Sequence, residues 1–366
     1  MLIREIKTED FDQVNKFLIL NNKKPIDYQI WNEVFIKNPY LKKFQKIPMG
    51  WIVEVENNIV GFAGNFPKIY SNNDKFYLAS IFTTWVVNTK YRSTSLLLLT
   101  EYFKQNNIDI FINTTANYET YKIWKAMGAN SVPLLSCQEI EFQIINCGNF
   151  LNAFFYKKKI NMNKYIRKIL KNLFKMFFVF KLNFYKIYNR KFKSIITYEI
   201  DDEIDALIKK TSLSKKYFCE AFTKETLTWN INYRKKDKEY WITKIYEKNL
   251  LVGFSVCFGE NNIQMNLSKC SFSFIFLNNE KNENYFDCLI KLNIEEANKR
   301  NYDIIEFRNL NLIYKNYLKK FLFFKRKYKN NPYLYKVSNN KFDHLNFLKN
   351  KENWSISLLD GDILFN

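Results

Sequence analysis

Histidine occurs once in the 366 residues, as His344 in a polar stretch. A Ser-His or Cys-His nucleophile pair would hang on that one side chain, and a histidine-built metal site has no ligands to draw on, so no metal is expected. The six cysteines, Cys137, Cys147, Cys219, Cys257, Cys270 and Cys288, contain no C-x-x-C pair and no short disulfide spacing. That excludes zinc ribbons, thioredoxin chemistry and a stapled secreted module, and the six read as free thiols in a reducing compartment. Glycine (8) and proline (6) are too few for collagen-like or low-complexity chains. No targeting leader is expected, since Met1-Leu2-Ile3-Arg4-Glu5-Ile6 reads at once as a strand. The longest apolar run, Leu173 to Phe180, is broken by Lys175 and flanked by Lys171 and Lys181, well short of the roughly 20 residues that span a bilayer. The expectation is a cytoplasmic protein, with peripheral contact at the inner membrane face as the one membrane option.

What the chain does have is apolar and cationic. At 47% hydrophobic and 18% aromatic it can bury one large core or two ordinary ones. The formal net charge is +21, but only eight of the 57 cations are Arg and the other 49 are Lys. Dedicated phosphate readers favour Arg, so charge alone points weakly to nucleic acid. Its distribution says more, because 13 basic residues and no acidic one lie between Glu141 and Glu199.

The apolar spacing predicts a strand at the start, helices from Thr8 and over Asp27 to Lys37, and a hairpin of Trp51 to Val55 and Ile59 to Phe66 about Glu56-Asn57-Asn58. A long strand over Phe76 to Val87, a helix over Ser95 to Gln105, a strand over Asp109 to Asn113 and a helix over Asn117 to Met127 ended by Gly128 follow. A strand near Ser136 to Ile145 would close the first unit.

This order, with Val87-Asn88-Thr89-Lys90-Tyr91-Arg92-Ser93-Thr94-Ser95 after the long strand, resembles the GNAT acyltransferase family. There a strand ending in V-x-P-x-Y-R leads into a Gly-rich turn whose backbone N–H groups, at a helix start, hold the pyrophosphate of coenzyme A. The resemblance implies that an acyl-CoA, acetyl-CoA or another, is the donor. It implies that Arg92, Ser93, Thr94 and Ser95 hold the pyrophosphate, that Val86 or Val87 offers a backbone N–H to the thioester carbonyl, and that Asn117 meets the pantetheine. Ser93 stands at a glycine position of that turn and Leu97 where a small residue is usual. The segment Asn117 to Ala129 looks like the family's N-x-x-A-x-x-x-Y-x-x-x-G-F stretch, but Trp124 replaces the Tyr that often protonates the departing thiolate. An indole N–H is too weak an acid for that, so Trp124 and Tyr121 read as packing residues. Asn117 also suits a helix N-cap. No general base is assigned; a water relay from Ser80, Thr83, Thr84, Glu54 or Glu56 is all that the residues offer.

Residues 149–193 read as a basic amphipathic helical linker, from Phe154 and Phe155 to Phe177 and Phe178, of a kind that suits an anionic membrane surface. From residue 194 the element order repeats: strand, acid-capped helix from Asp201, a hairpin of Trp241 to Glu247 and Leu250 to Gly259, a strand over Cys270 to Leu277, a helix over Glu283 to Lys299, a strand over Asp303 to Phe307, a helix over Leu312 to Phe323 and a strand over Pro332 to Val337. The fold class expected is therefore α/β with mixed sheets, as two GNAT-like domains: 1–148 with the degenerate acyl-CoA motif, and 194–366, diverged, joined by the linker. The second copy has Asn278 to Asn284, rich in acids, where the pyrophosphate turn would be, and should not bind coenzyme A. Trp229, Tyr233, Arg234, Arg308, Trp354, Asp360 and Asp362 are its candidate acceptor-binding residues. Core anchoring by Trp354 and a plain turn at Asp360-Gly361-Asp362 are the ordinary structural readings.

The closing Asn353 to Asp362 resembles the tail of tandem GNAT-like proteins found with bacterial surface-polysaccharide biosynthesis. This implies N- or O-acyl transfer to an amine or hydroxyl of a sugar intermediate. Two other functions stay open: an aminoacyl-tRNA-dependent transferase resembling the peptidoglycan-bridge enzymes, with tRNA as partner, and a non-catalytic GNAT-like binding module.

Overall fold

The computed structural model describes the chain except at residues 45, 135–138, 162, 164, 175, 177–191, 213–215, 236–237, 265, 309–310, 322, 328–332, 339–342 and 362–366. The first half opens with β1 (Leu2–Glu5) and α1 (Phe11–Leu20), whose Val14, Phe17 and Leu18 bury at helical spacing. Arg4 grips Asp10, just before α1, through two 2.7 Å hydrogen bonds and reaches Glu54 at 2.7 Å as well. Next comes α2 (Tyr28–Trp31), capped by the Asp27 carboxylate accepting from the Gln29 amide. The expected single helix over 27–37 instead changes pitch, because Asn32–Ile36 is a π-turn. The strands β2 (Gly50–Val55), β3 (Asn58–Asn72) and β4 (Lys75–Val87) form a meander, followed by α3 (Ser95–Phe103), β5 (Ile110–Asn113), α4 (Tyr118–Ala126) and β6 (Asn130–Ser131).

β7 (Glu139–Ile144) leads into α5 (Cys147–Lys158) and α6, residues 165–174. The second half repeats the plan. Its elements are β8 (Lys193–Thr197), α7 (Asp202–Ser212), β9 (Cys219–Glu220), α8 (Lys224–Asn232), β10 (Tyr240–Glu247), β11 (Leu250–Asn262) and β12 (Leu267–Leu277). These are followed by α9 (Glu283–Lys299), β13 (Ile304–Phe307), α10 (Leu312–Leu318), β14 (Phe324–Lys327) and β15 (Leu334–Val337). The helix expected over 312–323 stops at Leu318 in a 3-10 turn.

The two sheets do not keep to their halves. The first has the order β1-β2-β3-β4-β5-β15-β6, with β9 pairing to β3, and the second β14-β7-β13-β12-β11-β10-β8. β15, near the end of the chain, therefore fills the gap between β5 and β6, while β7 lies between β13 and β14 in the second sheet. The strand expected to close the first unit closes the second sheet instead. Hydrogen bonding thus cuts across the sequence division at 148 and 193. One core lies between the first sheet and the second half, with Trp31, Phe66, Tyr70, Trp229, Tyr335 and Trp354; another lies under α3 and α4, with Phe82, Leu98, Tyr102 and Trp124. A third packs α9 on the second sheet through Phe286, Leu289, Ile290 and Ile294.

Candidate active site

β4 and β5 are parallel and in register only where Ala79–Ile81 meet Ile110–Ile112. β4 runs on to Val87 while β5 stops at Asn113, so the strands part and leave a wedge. A β-bulge sits at its apex. Gly64 pairs with Thr83 and Ala63 with Trp85, which leaves Thr84 without a partner across the ladder. Thr84 has φ of +41°, a region that β-branched residues rarely enter, and such an extra residue bends its strand. Opposite it, a Cβ on Gly64 would stand 2.7 Å from the Thr83 methyl, so the close approach of β3 and β4 here requires glycine.

The wedge is a cleft of about 190 Å³. Phe82, Thr83, Thr84, Trp85 and Val86 form one wall, Asn113, Thr115, Ala116, Asn117 and Thr120 the other, and Lys23 and Lys24 stand at its rim. Among the described residues the lining carries hydroxyls, carboxamides and two ammonium groups but no carboxylate, an electrostatic setting for an anion or a polarised carbonyl. Of the residues expected at the donor, Val86 and Asn117 line this cleft. Asn117 is at the same time the N-cap of α4, accepting from the Thr120 amide at 2.8 Å. Val87 ends β4 just beyond Val86, and Arg92 and Ser93 are exposed in the turn that follows.

That turn differs from a phosphate-binding Gly-rich loop. Thr89–Thr94, capped by Asn88, forms two short 3-10 turns kinked at Tyr91 and runs directly into α3. The Ser95 amide donates to the Arg92 carbonyl, and buried Thr94 donates its hydroxyl to the Tyr91 carbonyl at 2.8 Å. Side chains of Arg92 and Ser93, rather than the Ser95 amide, are the groups here that face solvent. Leu97, expected to crowd the turn, is 41% exposed. Trp124 is fully buried among Phe82, Tyr102 and Phe103, so it is the packing residue the sequence suggests. Of the relay candidates, Glu54 is held by Arg4, Glu56 sits in the β2–β3 turn, and Ser80 is buried against Asn65, to which it donates at 2.6 Å. Only Thr83 and Thr84 reach the cleft.

The second half carries the same device in closed form. β12 and β13 pair over Lys269–Phe272 against Ile304–Phe307 and then part, and Ser273 is the bulged residue, since Val256 pairs with Phe274 and Cys257 with Phe272. Here the wedge is filled by the chain itself, the Leu358 amide donating to the Ser273 carbonyl at 3.1 Å. A cavity of about 40 Å³ remains, lined by Glu220, Glu280, Arg308, Asn311, Ser357 and Asp360 among others.

The expected acceptor residues divide accordingly. Arg308 and Asp360 line this cavity. Trp229, Tyr233 and Trp354 are core residues instead: the Trp229 indole donates to the Glu33 carbonyl at 2.7 Å, Tyr233 to Asn230 at 3.1 Å, and Trp354 to the Leu348 carbonyl at 2.7 Å. Arg234 clamps the end of the chain by donating to the carbonyls of Leu358, Leu359 and Gly361. Asp362 lies outside the described residues. Asp360 is buried, accepts from the Ser357 amide through one oxygen, and leaves the other without a hydrogen bond. Burial, then the nearby Glu220 charge, push its carboxyl up to about 6, against the pull of Lys68. Its neighbour Gly361 packs so closely on Thr114 that a Cβ there would stand 2.5 Å from the Thr114 hydroxyl. The segment 357–361 therefore runs from the closed cavity to the back of the strand end that carries Asn113 and Thr115.

Lys23, Lys24, Thr115 and Thr120 escaped the sequence reading. Thr115 and Thr120 flank the noticed Asn117, but the lysines join the cleft only through tertiary folding. Among the described residues no group of three or more His, Cys, Asp or Glu could hold a metal ion, and no helix is long and apolar enough to cross a membrane.

No protein-family model and no curated protein matches the sequence. Solved structures do. A GCN5-related N-acetyltransferase from Anabaena variabilis superposes with a TM-score of 0.57 at 7% identity, over 93% of this chain and 73% of that one. A conserved protein from Enterococcus faecalis V583, described as a probable N-acyltransferase, gives 0.56 at 8% identity, over 92% and 72%. Saccharomyces cerevisiae N-myristoyltransferase with bound myristoyl-CoA gives 0.51 at 11% identity, over 92% and 83%. At such identities the likeness is one of fold, and this chain has the mixed α/β fold of the GNAT-type N-acyltransferases over nine-tenths of its length.

Proposed function

We propose that the chain is an acyl-CoA-dependent acyltransferase of the cytoplasm, moving an acyl group from the thioester to an amine or hydroxyl of a sugar intermediate in surface-polysaccharide assembly. The observation that carries the reading is the bulged wedge at Thr84, because it opens the β5-facing edge of β4 beside a positively charged rim. In that position a backbone N–H at the bulged strand end is the proposed donor for a thioester carbonyl, whose oxygen gains charge as the acceptor attacks. Attack is direct, with no covalent step assigned to the threonine hydroxyls of the lining or to the Lys23 and Lys24 amines at its rim. The new C–N or C–O bond forms as the C–S bond breaks, and coenzyme A leaves as the thiolate, which takes up a proton from water. With no carboxylate in the lining, an amine acceptor reacts from its neutral form or sheds its proton to water held by Thr83 and Thr84.

Calorimetric titration of acetyl-CoA into the wild type and Arg92→Ala tests the donor site. Binding that weakens by about tenfold on loss of the guanidinium supports the reading, since a charge-assisted contact to phosphate contributes about 1.4 kcal/mol or more. No heat from acetyl-CoA, myristoyl-CoA or free coenzyme A would sink it. The wound 89–94 turn favours one second reading, a donor that does not need a backbone phosphate cradle, namely aminoacyl-tRNA. Filter binding of tRNA that weakens steeply with salt would support that alternative; a non-catalytic binding module is left if neither donor binds.

A further inference from the structure

α5 and α6 form a hairpin whose outer member is amphipathic and leaves much of its apolar face exposed. The two helices are tied together: the Arg167 guanidinium donates to the Asn152 carboxamide oxygen at 2.8 Å and lies over the Phe155 ring, 5.6 Å from its centre. α5 buries Cys147, Leu151, Ala153 and Phe155, as a surface helix should. On α6, by contrast, Tyr165, Ile166, Ile169 and Leu173 are 78%, 52%, 59% and 54% exposed. At about 100° per residue these four fall within an arc of about 100°, and Arg167, Lys168 and Lys171 fall on the opposite side. Tyr156 in the last turn of α5 and Ile160 just beyond it are exposed as well. The adjoining Lys157, Lys158 and Lys159, with Lys168 and Lys171, have no ion-pair partner among the described residues, and no acidic residue occurs anywhere in 142–198.

We propose that this hairpin docks the protein on an anionic lipid bilayer, with the aliphatic face of α6 in the boundary between headgroups and acyl chains and the lysines on lipid phosphates. An exposed aliphatic face backed by lysines that have no ion-pair partner among the described residues matches such a surface, which offers hydrocarbon below and negative charge above. Nucleic acid would use the lysines and leave Ile166, Ile169 and Leu173 in water. Docking is independent of the proposed reaction, because the hairpin carries no residue of the Thr84 cleft.

Co-sedimentation of the full chain with phosphatidylcholine vesicles, with and without phosphatidylglycerol, tests it. The wild type binds the phosphatidylglycerol vesicles, and Ile169→Glu/Leu173→Glu lowers the partition at least about tenfold by removing buried aliphatic groups. Lys168→Glu/Lys171→Glu, on the polar face, lowers it about as much at moderate salt. All four positions are surface positions, so circular dichroism and the melting midpoint should match the wild type. Absence of wild-type binding to the anionic vesicles, or unchanged binding by the Ile169/Leu173 variant, overturns the proposal. So does tight, salt-sensitive retention of tRNA that the lysine variant loses and the aliphatic variant keeps. Acetyl-CoA titration of the same variants reads the cleft separately from the lipid surface.

Discussion

Lys68 on β3 and Glu220 on β9 meet at 2.7 Å with neither side chain exposed to solvent. The ammonium donates its other two protons to Asn230, at 3.0 Å, and to the Leu359 carbonyl, at 2.6 Å, while the second Glu220 oxygen accepts from Asn230 and Tyr40. Every polar atom of the pair is thus satisfied, and four separate parts of the chain meet on one charge.

Removing one member should cost far more than removing both. Lys68→Met leaves a buried carboxylate without its counter-charge, for which about 3–5 kcal/mol of lost stability is expected. Lys68→Met/Glu220→Gln should recover a large part of that. Urea unfolding midpoints decide the matter, and equal losses in the two variants would show that the pair is not isolated from water.

Asp360 supplies a prediction of unusual sign. Its folded carboxyl is pushed up to about 6, above the ordinary aspartate value of 3.8, so ionisation disfavours the folded state. At pH below 3.8 the group is protonated folded or unfolded and has no effect. As pH rises through 4 to 6 the penalty grows, reaching about 2–3 kcal/mol near neutrality. Asp360→Asn, which keeps an oxygen for the Ser357 amide, should raise the melting midpoint at pH 7 and leave it unchanged at pH 4. A gap between variant and wild type that does not depend on pH would contradict the assigned burial.

Thr84 separates backbone strain from cleft shape. Thr84→Gly removes the steric penalty of positive φ while adding chain entropy, so stability should stay within about 1 kcal/mol of the wild type. Because the bulge remains, acetyl-CoA binding should persist. Deleting residue 84 leaves Thr83 opposite Gly64 and Trp85 opposite Ala63 in a regular ladder, so the bulge and the bend it gives β4 are lost and binding should be abolished. Calorimetry on both variants makes the comparison.

The division into 1–148 and 194–366 is tested by expressing residues 1–193 and 194–366 apart. Each fragment lacks a strand that its sheet needs: β15 in the first sheet, β7 in the second. Alone, each should be aggregation-prone with open strand edges; co-expressed, they should elute together as a one-to-one complex. A monomeric, sharply melting 1–193 fragment would show that the exchange is dispensable.

Much of this architecture is legible in the sequence, and its limits follow from what periodicity encodes. Period-two runs such as Trp51 to Val55 and Leu250 to Gly259 mark strands, and Asn-rich turns mark their hairpins. The helix Glu283–Lys299 appears with the bounds its spacing suggests. Nothing local says which sheet a strand joins, so the exchange of β7 and β15 stays hidden. Short, irregular elements were missed too: β9 has two residues, and α8 carries no clean apolar stripe. The bulges at Thr84 and Ser273 are one-residue shifts in long apolar strands, invisible to pattern. Trp229, Tyr233 and Trp354 show why aromatic residues beside polar ones mislead: each buries its ring and passes its one polar group to a neighbour, an arrangement that composition cannot tell from ligand binding.

The crossed placement of β7 and β15 also orders events during synthesis. A ribosome that has made the first six strands has made a sheet with a vacancy between β5 and β6, and the strand that fills it lies some two hundred residues downstream. Until then the edges of β5 and β6 remain open to other nascent chains, and β7 waits for β13 and β14, which emerge only shortly before β15. Completion of both sheets thus falls to the last strands made, β14 for the second and β15 for the first. Substitutions that slow this last pairing should lower soluble yield in the cell more than they lower the melting temperature of the finished protein.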